Sequence, residues 1–247
     1  YQNNILSLAF SDSTNRDGIV ELIDANCHSN SVSFPLLDKT RDINLALDMA
    51  FSIIFLASGK WQFDDSNHTD YPIITTSLAS GTRDYPFTTD GSGNLILDIY
   101  KVMVKDEDGI FHEIYPIDQQ SDEYTDGFWS GQNTTGIPSR YDKTANGIFL
   151  DCIPSYNSSG GLKIFINREG SYFVSTDTTK KAGFAGLFHE YLALRPSHFY
   201  CKRNKMFDLA NAYKADMIEM ESKMKKHYRD RSHDEVPVIT SERICSV

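Results

Sequence analysis

The sequence predicts an α+β protein: a helical bundle of two N-terminal and two C-terminal helices, an inserted antiparallel β domain, and an extended C-terminal arm. Three observations predict it. Apolar residues recur at helical spacing towards both ends of the chain, and strand-like runs with turn signals fill its middle. A short β-prone run, Val236-Pro237-Val238-Ile239, follows the last helical pattern with nothing beside it in sequence to pair with. The expected division is residues 1–60 as the N-terminal helical part, 61–175 as the β domain, 176–231 as the C-terminal helices and 232–247 as the arm.

Taking the elements in order, Ser13-Thr14-Asn15 can cap a helix whose apolar side is Ile19, Leu22 and Ile23 and which ends near Asn26 to Ser29. Asp38 or a neighbour caps a second helix, with Ile43, Ala46, Leu47, Ala50, Phe51 and Ile54 on one side and Gly59 as its stop. Trp61, followed by Phe63, reads as an aromatic anchor for the crossing into the β domain.

In the middle, Ile73 to Thr76 is strand-like, and Leu95 to Val104 is a longer run with Leu95, Leu97 and Ile99 on one side. Asp106-Glu107-Asp108-Gly109 turns that run back through Ile110 to Ile117 as a hairpin. A second hairpin runs from Arg140 to Leu150, with Asn146-Gly147 as a turn needing positive φ. Leu162 to Ile166 adds a strand after the loop-like Asn157-Ser158-Ser159-Gly160-Gly161.

Helical spacing then returns. Phe184, Leu187, Phe188, Tyr191 and Leu192 line a segment that Pro196 kinks or divides. From Lys205 to about Tyr228, Met206, Ala210, Tyr213, Met217, Met220 and Met224 form a seam with alternating steps of four and three. Such a seam packs on the N-terminal helices, and methionine's adaptability leaves open that part of it lies between subunits.

The composition, 40% hydrophobic and 23% charged, excludes wholesale disorder, and no apolar run is long enough to span a bilayer. No export signal opens the chain as given, so export is not expected and the chain reads as made in the cytoplasm. Cys27, Cys152, Cys201 and Cys245 lack metal-ligand spacing and read as reduced thiols. Asn67, Asn133 and Asn157 fit the glycosylation pattern by chance. The net charge of −10 argues against sequence-wide affinity for DNA.

Several clusters carry residue types that suggest chemistry. His189-Glu190 starts like a zinc-protease helix, but Ala193 stands where the second histidine belongs. The calcium-loop echoes at Asp106 and Asp142 put Tyr115 and Ile153 at the bidentate position and are hairpin turns instead. Asp64-Asp65 reads as a solvated or capping pair, and neither Gly91-Ser92-Gly93 nor Ser159-Gly160-Gly161 leads into a helix as a phosphate loop must. No catalytic residue, metal or cofactor is therefore expected, and the protein reads as a non-enzyme. A hydrolase using His189, Glu190 and Asp151 is a rival without a substrate.

Two groups are candidates for contact. The arm residues Val236, Pro237, Val238 and Ile239 must dock somewhere, and a neighbouring copy is the expected place. The basic end of the long helix, Lys223, Lys225, Lys226, His227, Arg229 and Arg231, complements the helix dipole. Alternatively it meets an acidic neighbour in a ring or brushes DNA phosphates.

From Asp17-Gly18-Ile19-Val20 onward the chain resembles a family of tailed-bacteriophage neck proteins, the head–tail connectors or adaptors. The resemblance rests on Pro35 with Asp38-Lys39-Thr40-Arg41, on Asn44-x-Ala46-Leu47, and on Gly59-Lys60-Trp61 through Asp70-Tyr71-Pro72. It continues at Arg140-Tyr141-Asp142-Lys143, Gly161-Leu162-Lys163, Ser175 to Lys180 with Gly183-Phe184, and His189-Glu190-Tyr191-Leu192-Ala193-Leu194. It covers most of the chain. The likeness implies a non-enzymatic virion component, commonly a dodecameric ring beneath the portal that joins capsid to tail. Its implied partners are copies of itself, the portal protein, downstream neck or tail proteins, and DNA passing without sequence-specific contact; no membrane is implied. The rival from another class is a virion β-module binding a host glycan through the aromatic loop Tyr124 to Trp129.

Overall fold

Four α-helices and a seven-stranded, antiparallel-rich sheet make up most of the described part of a computed structural model, which comprises residues 7–58, 73–90, 93, 95–117 and 134–230. Expectations for Gly59, Trp61, Asp64-Asp65, Tyr124 to Trp129, Arg231 and the arm from Val236 to Ile239 lie outside the described residues. The protein thus combines α and β structure in two compact units. One draws on Tyr1–Phe10 and Gln62–His189, the other on Ser11–Trp61 and Glu190–Val247. These units divide the chain differently from boundaries at 60/61 and 175/176, because the opening residues and 176–189 belong with the sheet. Among the described residues, no helix is long and apolar enough to cross a membrane.

In the sheet unit the strands are β1 (Ile73–Leu78), β2 (Asp84–Pro86), β3 (Ile96–Lys105), β4 (Phe111–Pro116), β5 (Thr135–Gly136), β6 (Arg140–Thr144), β7 (Gly147–Leu150), β8 (Ile153–Pro154) and β9 (Ser158–Arg168). Seven of them pair in the order β1-β9-β3-β4-β6-β7-β2, and β5 and β8 form a small parallel pair. Within the large sheet only β4 and β6 are parallel. Leu78, Val102, Val104, Ile148, Leu162 and Ile164 are among the side chains that close its core.

Three local features differ from expectation, each for a steric or register reason. Leu95 and Leu97 face solvent, not the core, because β3 slips register against β9 between Ile96 and Asp98 and again between Ile99 and Lys101. Each slip moves the inward set by one residue, so the buried positions become Ile99, Val102 and Val104. Ser158 to Gly161 is strand, not loop: Gly160 takes φ 58°, and the β1–β9 register shifts between Thr76 and Leu78. The glycines carry β9 through a bulge instead of ending it.

The second hairpin turns at Ala145-Asn146, since Thr144 pairs with Gly147, and neither turn residue has positive φ. Gly147 is needed for another reason. A Cβ there would sit 2.2 Å from the Tyr85 carbonyl oxygen, so only glycine lets β2 close on β7. The first hairpin is as expected, with Gly109 at φ 86° and the Asp106 carboxylate accepting the Ile110 N–H at 2.8 Å.

The chain's opening adds to this unit. Ala9 bridges Lys181, the Phe10 N–H donates to the Lys180 carbonyl at 2.8 Å, and the Phe10 and Phe173 rings stack 5.1 Å apart. Periodicity gives no signal for so short a clasp.

In the helical unit, α1 (Ile19–Cys27), α2 (Leu36–Ser58), α3 (Tyr191–Arg203) and α4 (Phe207–Asp230) pack with α3 against the other three and α2 against α4. Gly18, not Ser13 to Asn15, occupies the N-cap of α1. A Cβ at Gly18 would fall 2.1 Å from a Glu21 carboxylate oxygen, and that carboxylate instead accepts from the Ser11 hydroxyl and the Asp12 N–H. Helix α2 starts at Leu36, directly after Pro35, so Asp38 stands in the first turn where acidic charge meets the helix dipole. All six expected core positions of α2 are buried.

Pro196 lies inside α3 without dividing it. The apolar set from Phe184 to Leu192 does not share one helix: Gly186–Phe188 is a 3-10 turn, and Leu187 is exposed. On α4, Ala210, Met217, Met224 and Tyr228 are buried and Tyr213 and Met220 half-buried, as is Met206 just before the helix. The methionine seam is packed inside its own unit.

Candidate assembly surface

Polar groups buried in the helical unit fasten the helices to one another. Lys39 of α2 donates to both oxygens of Asp24 on α1 at 2.6 Å. Asp42 of α2 is held by Arg203 of α3 and by Arg41 at 3.1 Å. The Tyr191 hydroxyl donates to Glu221 of α4 at 2.9 Å, and the Tyr213 hydroxyl to the Asn26 carbonyl at 2.8 Å.

Of the catalytic candidates read from the sequence, His189 and Asp151 are held by hydrogen bonds, and Glu190 is exposed. His189, 1% exposed, places Nδ1 3.1 Å from the Leu8 carbonyl and Nε2 2.9 Å from the Phe184 carbonyl. Burial pushes its pKa below the ordinary histidine range, against the opposing pull of those carbonyls. Asp151 accepts the Ser139 hydroxyl at 2.6 Å. His112 Nε2 lies 2.6 Å from Asp106, and this hydrogen bond lowers the carboxyl's pKa within an exposed turn. Cys27 is pushed up to about 12 and Cys152 to about 11, chiefly by burial, so both remain thiols near neutrality. Among the described residues, no group of three or more His, Cys, Asp or Glu side chains is placed to hold a metal ion.

On the sheet unit, a cleft of about 340 Å³ is lined by residues including Phe87, Leu95, Leu97, Asp98 and Lys143. Lys143 and Asp98 pair at 2.8 Å, so each satisfies the other's charge.

The helical unit offers a different surface. Leu45, Met49 and Leu56 are 52%, 38% and 82% exposed, and Ser52 between them is exposed too. Their spacing puts all four on one stripe of α2, facing away from the buried set. At the C-terminal end of that stripe a groove of about 590 Å³ is lined by Leu56, Ala57, Ser222, Lys225, Lys226 and Arg229. The basic cluster read from sequence therefore splits. Lys225, Lys226 and Arg229 line the groove, whereas Lys223 pairs with Glu219 one turn back at 2.6 Å.

The contact candidates legible in the sequence were the arm and the basic helix end, with part of the methionine seam left open as a contact between subunits; this stripe was missed. The signal was present: α2 carries apolar residues all round, which is more than one packed face requires. Compared with protein-family models and with curated proteins, the chain matches none.

Proposed function

We propose that the protein is a non-enzymatic virion component, a head–tail connector of a tailed bacteriophage. On this reading the helices from both ends of the chain form one bundle that makes the wall of a ring below the portal. The sheet-bearing part is inserted, in sequence, between the bundle's halves. Copies of the chain, commonly twelve in such rings, join capsid to tail and let DNA pass. The net charge of −10 per subunit supports passage without sticking, because an acidic lumen repels phosphate.

The observation that carries the assembly reading is the uncovered stripe of Leu45, Met49 and Leu56 on α2. Exposed leucines in line on a helix mark a surface that gains by burial, at about 25 cal/mol per Å² of apolar area. The resemblance to the neck-protein family supplies the kind of assembly.

The test is attachment to portal rings. Removing residues 234–247 should weaken assembly while leaving the unfolding transition of the remaining chain in place. Unchanged attachment of the truncated protein would count against the arm's role, and a full-length chain that neither self-associates nor binds portal would end the connector reading.

A further inference from the structure

We infer that the groove at the C-terminal ends of α2 and α4, together with the Leu45–Leu56 stripe, receives the segment Asp234-Glu235-Val236-Pro237-Val238-Ile239 of a second copy of this chain. This rests on the assembly reading above and specifies its contact. Two matches support it. The acidic pair Asp234-Glu235 immediately precedes the apolar quartet, just as the basic groove of Lys225, Lys226 and Arg229 adjoins the apolar stripe. Charge complementarity then sets the register and the hydrophobic contact supplies the burial. Length agrees as well. Four extended residues reach roughly 13 Å, and α2 rises roughly 16 Å from Leu45 to Leu56.

Direction favours a second copy over the chain's own arm. Helices α2 and α4 run alongside each other in the same sense: Arg203, just before α4, holds Asp42 near the start of α2, and the last turns of both helices line the groove. A chain leaving α4 along its axis would have to reverse between Asp230 and Asp234 to lie back along the stripe. An arm arriving from beyond the groove needs no reversal. Against a surface that is acidic in sum, this basic turn is also a distinct target for an acidic segment.

The test uses full-length charge reversals: a groove variant with Lys225→Glu and Lys226→Glu, both exposed, and an arm variant with Asp234→Lys and Glu235→Lys. Sedimentation velocity reads self-association of each alone, of an equimolar mixture, and of the chain bearing all four changes. Each variant alone should associate about tenfold or more weakly than the wild type, and the mixture should recover most of that loss. Recovery in the mixture also shows that both variants are folded. Wild-type association that is indifferent to both reversals overturns this inference alone. Recovery only in the four-change chain, without recovery in the mixture, puts the arm on its own subunit and overturns it too. A wild type that stays monomeric throughout overturns this inference and the assembly reading together.

Discussion

Lys39 and Asp24 form an asymmetric ion pair: the lysine is 2% exposed, while the carboxylate still reaches solvent and also takes the Ser29 hydroxyl at 2.6 Å. The two partners therefore differ in what they leave behind when removed. Asp24→Asn strands a buried ammonium and should cost about 3–5 kcal/mol. Lys39→Met leaves a carboxylate that water and Ser29 still serve, and the methionine fills the lysine's space, so the loss should be far smaller. Urea denaturation of the two variants checks the order, and equal losses would show that Asp24 is as dependent on the pair as Lys39.

Gly147 carries a steric prediction. Gly147→Ala places a methyl against the Tyr85 carbonyl, where the backbone of β2 has to move. Overpacking of this kind costs about 1–3 kcal/mol, and hydrogen exchange should speed first at Tyr85 and Ile148, which pair across β2 and β7. An unaltered exchange pattern would place the two strands further apart than described.

His189 carries a pH prediction. Its pKa is lowered in the folded protein, so the unfolded chain binds more protons in acid. The contribution of the neutral ring is thus fully present above the ordinary histidine value and is lost as the pH falls below it towards the folded value. An NMR titration of the His189 ring should give a midpoint below 6.5. A midpoint above it would mean that the carbonyls of Leu8 and Phe184 hold an imidazolium, and acid would then strengthen the clasp.

Much of the architecture was legible because it follows from periodicity. The buried faces of α2 and α4 and the hairpin at Asp106 to Gly109 emerged from spacing and turn chemistry alone. What escaped was decided by contacts between distant residues. The bulges of β3 against β9 turn Leu95 and Leu97 outward, the clasp of Leu8 to Phe10 has no pattern to reveal it, and Gly147 answers to Tyr85 instead of to its own turn. The groove was half legible: its cations were found, but the Leu45, Met49 and Leu56 stripe beside them was masked by the stronger buried pattern on the same helix.

The stripe gives a further prediction. Leu45→Glu with Leu56→Glu alters exposed positions only, so thermal unfolding should shift little, within about 0.5 kcal/mol per site. Self-association measured by light scattering should fall sharply. A large stability loss with association intact would make these leucines part of the subunit's own packing.

Electron microscopy of the purified full-length chain mixed with portal rings tests the central claim most directly. The expected image is of closed rings of this chain seated on the portal, each subunit's carboxyl end lying against its neighbour. Solitary subunits at high concentration, with the stretch after α4 tucked against its own helices and the portal bare, would contradict it.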